Sequence, residues 1–230
     1  MKKIAAVFIV LLSFFCALSA GEKNAEPGSK KENVPVFRSV DNAVIDGLLE
    51  TSVKTEPLIL GSPGKKLLPS GKIYLGYDSG DIYIYADITD TNPGINAFRG
   101  ADIVKGDSLI FTISTDPGAA PDRKVPGKFD FYFAIKASSD TETWSYTRKG
   151  PLQNPILFYK KKPYGYIIEA LIPWYNFNTG CFCKIKNRSI SFDAAINSIN
   201  NGALVQTRYC GGNDFTAKPS QWGHVIFSTK

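Results

Sequence analysis

Apolar and polar side chains alternate every second residue along most of this chain, and that leaves few folds open to it. In residues 81–88 (DIYIYADI), Ile82, Ile84, Ala86 and Ile88 share one face while Tyr83, Tyr85 and Asp87 share the other. That is the period of a strand buried on one side. Residues 72–77 precede it, and Asp78-Ser79-Gly80 between the two reads as a hairpin loop whose glycine supplies the backbone angles a tight turn needs. The same period recurs where Leu109, Phe111 and Ile113 alternate with Ser108, Ile110 and Thr112, and where Phe129, Phe131, Phe133 and Ile135 alternate with Asp130, Tyr132 and Ala134. Tyr166, Ile168, Ala170 and Ile172 alternate with Ile167, Glu169 and Leu171, and the runs 190–196 and 225–227 complete the set. Turn residues such as Asp116-Pro117-Gly118 and the stretch 175–180 punctuate these runs, and no segment carries a long helical period. Roughly ten short strands with turn signals between them predict an all-β chain, an antiparallel β-sandwich of immunoglobulin-like or jelly-roll-like design.

The first residues bear on compartment. Lys2 and Lys3 precede an apolar run from Ile4 to Leu12, extended by Phe14 and Phe15, and the small residues Ala17, Ser19 and Ala20 follow. This charged, apolar and cleavable order predicts a secretory leader over 1–20. The run is shorter than the roughly 20 residues of a membrane span, so none is expected in the mature chain. Cys16 offers lipid anchoring as an alternative to plain export, and the destination is secreted, periplasmic or cell-surface. Residues 21–33 hold Glu and Lys in equal number and no aromatics, the composition of a flexible polar tether. The β-domain is expected over 34–230. Removing Lys2 and Lys3 with the leader takes the formal charge from +6 to +4. The basic residues are scattered except for Lys160, Lys161 and Lys162, a triplet that reads as a solvated loop, so nucleic acid is not an expected partner.

Three cysteines remain after the leader. In an oxidising compartment Cys210 is expected to pair with either Cys181 or Cys183, leaving one thiol over. Cys181 and Cys183 as soft metal ligands fall short of the four a closed zinc site needs. Catalytic sets are missing in a similar way. The chain has one histidine, so both Ser-His-Asp and Cys-His arrangements depend on His224, which sits where a turn enters a strand. No glycine-rich phosphate loop is present, and nothing singles out a carboxylate pair for glycoside cleavage. The chain therefore reads as a non-enzyme without a cofactor. Structural calcium stays open, because Asp87, Asp90, Asp116 and Asp122 are hard oxygen ligands placed near loops.

Several short motifs occur in a telling order. They are Val44-Ile45-Asp46-Gly47, the hairpin 71–90, Gly106-Asp107-Ser108-Leu109-Ile110-Phe111, Glu169-Ala170-Leu171-Ile172-Pro173-Trp174, the strand 190–197, and Pro219-Ser220-Gln221-Trp222-Gly223. Together they resemble the family 9 carbohydrate-binding module and its superfamily of exported β-sandwiches. The resemblance implies a monomeric, non-catalytic module that binds a glycan or polysaccharide, accessory to polysaccharide capture or breakdown. It assigns Trp174 and Trp222 to packing and leaves His224 incidental. The superfamily also holds haem domains with Met and His ligands; here the one methionine is Met1, which leaves with the leader, so a second iron ligand is missing. By the resemblance, the family's two sugar-sandwiching tryptophans fall at Val104 and Thr216, an acidic group at Ile110, a basic group at Asp130 and a polar sugar contact at Asn213.

The expected site is then Asp130, Tyr132 and Asn213, on the face that also carries Ile110. A second platform is expected at Trp144, Tyr146 and Arg148. The alternative function is a structural or interaction domain that has lost sugar binding. Replacing Asp130 and Asn213 together by alanine is expected to abolish binding and leave thermal stability nearly unchanged.

Overall fold

Strands follow one another along the chain with only short 3-10 turns between them. The structure, a computed structural model, describes residues 35–53, 56–61, 68–178 and 185–228. The strands are β1 (Val36–Ser39), β2 (Leu58–Leu60), β3 (Ser70–Tyr77), β4 (Asp81–Thr89), β5 (Ser108–Ser114), β6 (Asp130–Lys136), β7 (Thr143–Ser145), β8 (Ile156–Lys162), β9 (Gly165–Pro173), β10 (Ser189–Asn200), β11 (Ala203–Arg208) and β12 (Gly223–Phe227). The leader 1–20, Cys16, the tether 21–33 and both Cys181 and Cys183 lie outside the described residues. Among the described residues, no helix is long and apolar enough to cross a membrane.

The all-β expectation holds, with a correction to the pairing. The strands form one mixed sheet in the order β7-β6-β5-β10-β12-β1-β3-β4-β9-β8, with β11 beside β10 and β2 beside β3. Two antiparallel halves are joined by β1, and both of its pairings are parallel. Val36 and Phe37 lie opposite Ile226 and Phe227 of β12, while Arg38 and Ser39 lie opposite Gly76 and Tyr77 of β3. A four-residue strand that changes partner halfway carries no periodic signal of its own, so the sequence pattern could not reveal it.

Alternation is explained by one core shared between the halves. Ile82, Ile84, Ala86 and Ile88 from β4 join Leu109, Phe111 and Ile113 from β5, Phe131, Phe133 and Ile135 from β6, and Ile168, Ala170 and Ile172 from β9. Each is almost fully removed from water, and a buried aliphatic or aromatic side chain contributes about 1.5–3 kcal/mol over its exposed state. Phe129 departs from the expected face. It precedes β6, is half-buried, and packs under the Lys128 ammonium 5.5 Å from its ring. Trp174 is buried among Phe177 and Phe227, as expected of a packing residue.

The second face of β4 is also dry, although its polar alternation predicted otherwise. Tyr83 and Tyr85 pack with Val40, Val53 and the half-buried Ile45, Leu49 and Ile167. The N-terminal segment 40–53 is laid over this face and pinned by Glu169 of β9. The Glu169 carboxylate accepts the Asp46 and Gly47 backbone N–H groups at 2.9 and 2.6 Å and the Tyr83 hydroxyl at 2.7 Å. Here the Val44–Gly47 and Glu169 motifs prove to be two halves of one contact. Lys160 to Lys162, read as a loop, close edge strand β8 instead. Edge lysines blunt a strand against pairing with another chain. Lys162 also pairs with Asp87 of β4.

Candidate functional site

Across the other half of the sheet, the face turned away from the core is roofed by loops. Strand register places Ile110, Thr112 and Ser114 of β5 opposite Ala134, Tyr132 and Asp130 of β6, and places Asp193 and Ala195 of β10 opposite Thr112 and Ile110. The roof comprises the 3-10 turn Gly100–Lys105, the β7 hairpin and the segment 209–222. Their apolar residues Ile103, Phe215 and Trp222 join Ile110, Ala134 and Ala195 in a second, smaller cluster, edged by Val104, Tyr132, Trp144 and Tyr146. Ile110, expected on an open sugar-contacting face, is therefore a buried packing residue at 2% exposure.

Three contacts hold the roof down. Asp193 accepts the Ala194, Cys210 and Gly211 backbone N–H groups at 2.7, 3.1 and 2.5 Å, fixing the start of the 209–222 segment. Trp222 donates its indole N–H to the Phe215 carbonyl, which closes that segment on itself. Arg99 pairs with Asp140 and Glu142, and Glu142 accepts the Gly100 N–H at 2.8 Å, tying the 3-10 turn to the β6–β7 hairpin. The Asp140 carboxyl is drawn down to about 2 by the hydrogen bond from Ser138 and the ammonium of Lys136.

A cavity of about 310 Å³ opens at one edge of this roof, walled by Asp130, Tyr132, Tyr146, Thr147, Thr216 and Trp222. That is the small end of the range of ligand pockets, about 300–1,000 Å³. Tyr132 and Tyr146 stack with ring centroids 4.2 Å apart and planes 13° from parallel. The Tyr146 hydroxyl donates to the Ala101 carbonyl at 2.6 Å, so the pair is anchored at one end. Burial pushes the Tyr132 hydroxyl up to about 12, and both tyrosines are neutral donors near neutral pH.

Asp130 differs from the expected open sugar acceptor. It is 3% exposed, accepts a two-pronged contact from Arg123 at 2.9 and 2.7 Å, and takes the Gly127 N–H at 2.8 Å. Burial alone would raise its pKa, but the Arg123 guanidinium and the Gly127 N–H outweigh that and hold it below the usual carboxylate range. The same guanidinium lies 5.7 Å from the Trp222 ring, within cation–π reach. Arg123 thus joins Asp130 to Trp222 behind the lining of the cavity. Arg123 was missed because nothing in its Pro- and Gly-rich loop marks it out. Trp222 is both a core residue and a wall of the cavity.

The remaining expected residues separate. Thr216, aligned with a family tryptophan, does line the cavity, but Val104 sits in the second cluster and its carbonyl accepts the Asn197 amide. Asn213 is exposed on the 209–222 segment, accepts from Arg208 at 2.9 Å, and is not among the lining residues. Trp144 packs beneath Gly100 as part of the roof. Arg148 points away from Trp144 and Tyr146 and donates to the Tyr175 and Asn176 carbonyls. His224 is exposed on β12 opposite Ser191. Asp87, Asp90 and Asp116 engage Lys162, the Asn92 N–H and the Gly118 N–H, and among the described residues no three acids, histidines or cysteines gather as a metal site.

No described protein family matches the sequence, and no curated protein matches it. Solved structures do. A family 9 carbohydrate-binding module from Caldicellulosiruptor kristjanssonii in complex with cellotriose superposes with a TM-score of 0.66 at 16% identity, covering 85% of this chain and 93% of that one. A family 9 module from the same organism in complex with glucose gives 0.63 at 17% identity, covering 85% and 96%. The chain has the fold of family 9 carbohydrate-binding modules.

Proposed function

We propose that this chain is an exported, non-catalytic carbohydrate-binding module whose curled sheet is a variant of the family's β-sandwich. The observation that carries the reading is the cavity beside Tyr132, Tyr146 and Trp222, roofed by loops on the sheet face of a fold whose solved relatives hold cellotriose and glucose. Aromatic rings pack against the apolar faces of pyranose rings. Thr147 offers an oxygen acceptor and the Tyr132 hydroxyl a donor, while Asp130 and the Tyr146 hydroxyl are committed to Arg123 and the Ala101 carbonyl and only shape the wall. With Val104 and Thr216 in place of large aromatics, no second ring closes over the ligand from the roof. Binding of a chain end in so small a space is expected to be modest. The accessory role in polysaccharide capture or breakdown follows from the reading of the leader and from the absence of a catalytic set.

A structural or interaction domain that has lost sugar binding is the competing reading, favoured by Val104 and Thr216. Calorimetric titration of the folded protein with cello-, xylo- and manno-oligosaccharides separates the two. The carbohydrate reading expects one neutral oligosaccharide to bind and Tyr132→Ala to weaken it at least about tenfold, or 1.4 kcal/mol. Heat-free titrations across the panel would favour the competing reading.

A further inference from the structure

A second groove shares no lining residue with the first. Arg148, Gly150, Pro151, Leu152, Gln153 and Asn154 line it. Tyr175, 47% exposed, stands beside it on the 3-10 turn Trp174–Phe177. We propose that this groove is a second glycan site, selective for an acidic, uronate-bearing sugar chain.

The groove is built rather than incidental. The Tyr175 hydroxyl is fixed from two sides, receiving the Asn154 amide at 2.9 Å and donating to the Gln153 carbonyl at 3.3 Å. The Asn176 side chain accepts the Gln153 N–H at 2.8 Å and donates to the Gln153 carbonyl at 3.0 Å. Arg148 spans the gap to the Tyr175 and Asn176 carbonyls at 3.4 and 3.3 Å. These contacts lock an aromatic ring at the surface with its edge satisfied, so presenting its face to a sugar costs little ordering entropy. Two residues of the loop, Lys149 and Asn154, hold positive φ of 55° and 49°.

The charge selects the class of ligand. Segments 148–154 and 174–178 contain Arg148 and Lys149 and no acid. Lys149 makes no hydrogen bond or ion pair among the described residues, and Arg148 commits one of its nitrogens to carbonyls, leaving the rest for a carboxylate. A guanidinium pairs with a planar carboxylate through two parallel N–H bonds, which a neutral hydroxyl cannot match. The exposed Gln153 amide supplies donor and acceptor for sugar hydroxyls. Ring face, carboxylate fork and amide together describe a hexuronate unit.

The inference shares the carbohydrate reading but not the first cavity, so the two fail separately. Titrate the folded protein with oligogalacturonate, with oligoglucuronate and with a neutral cello-oligosaccharide, at low and at physiological salt. The expected result is binding of one acidic oligomer that weakens with salt. It should fall at least about tenfold in Arg148→Gln and in Tyr175→Ala and about threefold in Lys149→Gln, a charge change that touches no hydrogen bond. Any binding of the neutral oligomer should survive all three variants, and thermal unfolding confirms that each is folded. Absence of binding to both acidic oligomers, or acidic binding untouched by the three changes, overturns the second site. Failure of the neutral oligomer alone counts against the first cavity only.

Discussion

Asp130, on the outer face of β6, is only 3% exposed and bonds to Arg123. Alternation put it on the outer face of its strand, and the outer face was expected to meet solvent. The roof of loops changes that. Its carboxylate is closed off by Arg123, whose own side chain is 13% exposed. Removing one partner of a buried pair strands the other, at about 3–5 kcal/mol. Asp130→Ala is therefore expected to lower the melting temperature by roughly 6–20 °C, at about 2–4 °C per kcal/mol for a chain of this size. Asn213→Ala, at an exposed position, should stay within about 2 °C by the same scale. Differential scanning calorimetry of the two single variants tests this; equal melting temperatures would show that the Arg123 contact carries no stability. The double substitution expected to abolish binding at nearly unchanged stability is thus a poor probe of binding, and Tyr132→Ala is the better one. What the sequence could reveal at this scale was side-chain direction. What it could not reveal was Arg123, seven residues away in an irregular loop.

Between elements, the turn from β8 to β9 is the least forgiving point. Gly165 has φ of +142°, and a Cβ there would stand 1.8 Å from the Ile88 carbonyl oxygen of the neighbouring strand. Backbone cannot retreat from such a contact without breaking the β4–β9 ladder. Gly165→Ala should cost well over about 2 kcal/mol, while Gly150→Ala, with nothing within 4 Å of the added methyl, should cost less than about 0.5 kcal/mol. Urea unfolding of the pair measures the contrast, and a Gly165→Ala midpoint equal to that of the parent would refute it. The same strands show what period-2 reading captures. β3, β4, β5, β9 and β10 have one face in the common core, so their alternation is strong and the expected runs match them closely. β6 is matched apart from Phe129. β8 ends in three lysines, β11 is half polar and buries only Thr207, and β7 and β2 are three residues each, so their signal is too short or too weakly apolar to stand out. Glu169 was legible as part of a motif. That it pins residues 46 and 47, more than a hundred positions earlier, was not, because nothing local records which segment will cover a strand's second face.

At the scale of the molecule, two buried carboxylates set the response to pH. Asp107 accepts the Gly94, Ile95 and Ile199 N–H groups at 2.7, 2.9 and 2.8 Å, and Asp193 holds the Cys210–Gly211 turn. Both are fully buried, and burial outweighs these hydrogen bonds and pushes each pKa up to about 6 from an ordinary 3.8. Burial also raises Glu169, ahead of the lowering effects of Tyr83 and the Gly47 N–H. Between pH 4 and 6 the folded chain then binds more protons than the unfolded chain. Stability from these two groups is fully present below about pH 3.8 and is lost as pH rises through about 6. A tenfold change in proton affinity is worth about 1.36 kcal/mol, so each carboxylate contributes about 2–3 kcal/mol to the change. Asp130 and Asp140, whose pKa values are lowered, act in the opposite sense: their share is present above the ordinary carboxylate range and fades only toward about pH 2. Maximum stability is therefore expected near pH 4–5, below the neutral optimum common to many domains. Melting temperatures measured at pH 4.5 and 7.5 should differ by several degrees in favour of the acid. Asp193→Asn should shrink that difference while lowering both values, since a neutral amide cannot accept from the Gly211 N–H and the Cys210 N–H at once. A melting temperature that rises from pH 4.5 to 7.5 would mean that neither carboxylate is held as far above its ordinary range as its burial demands.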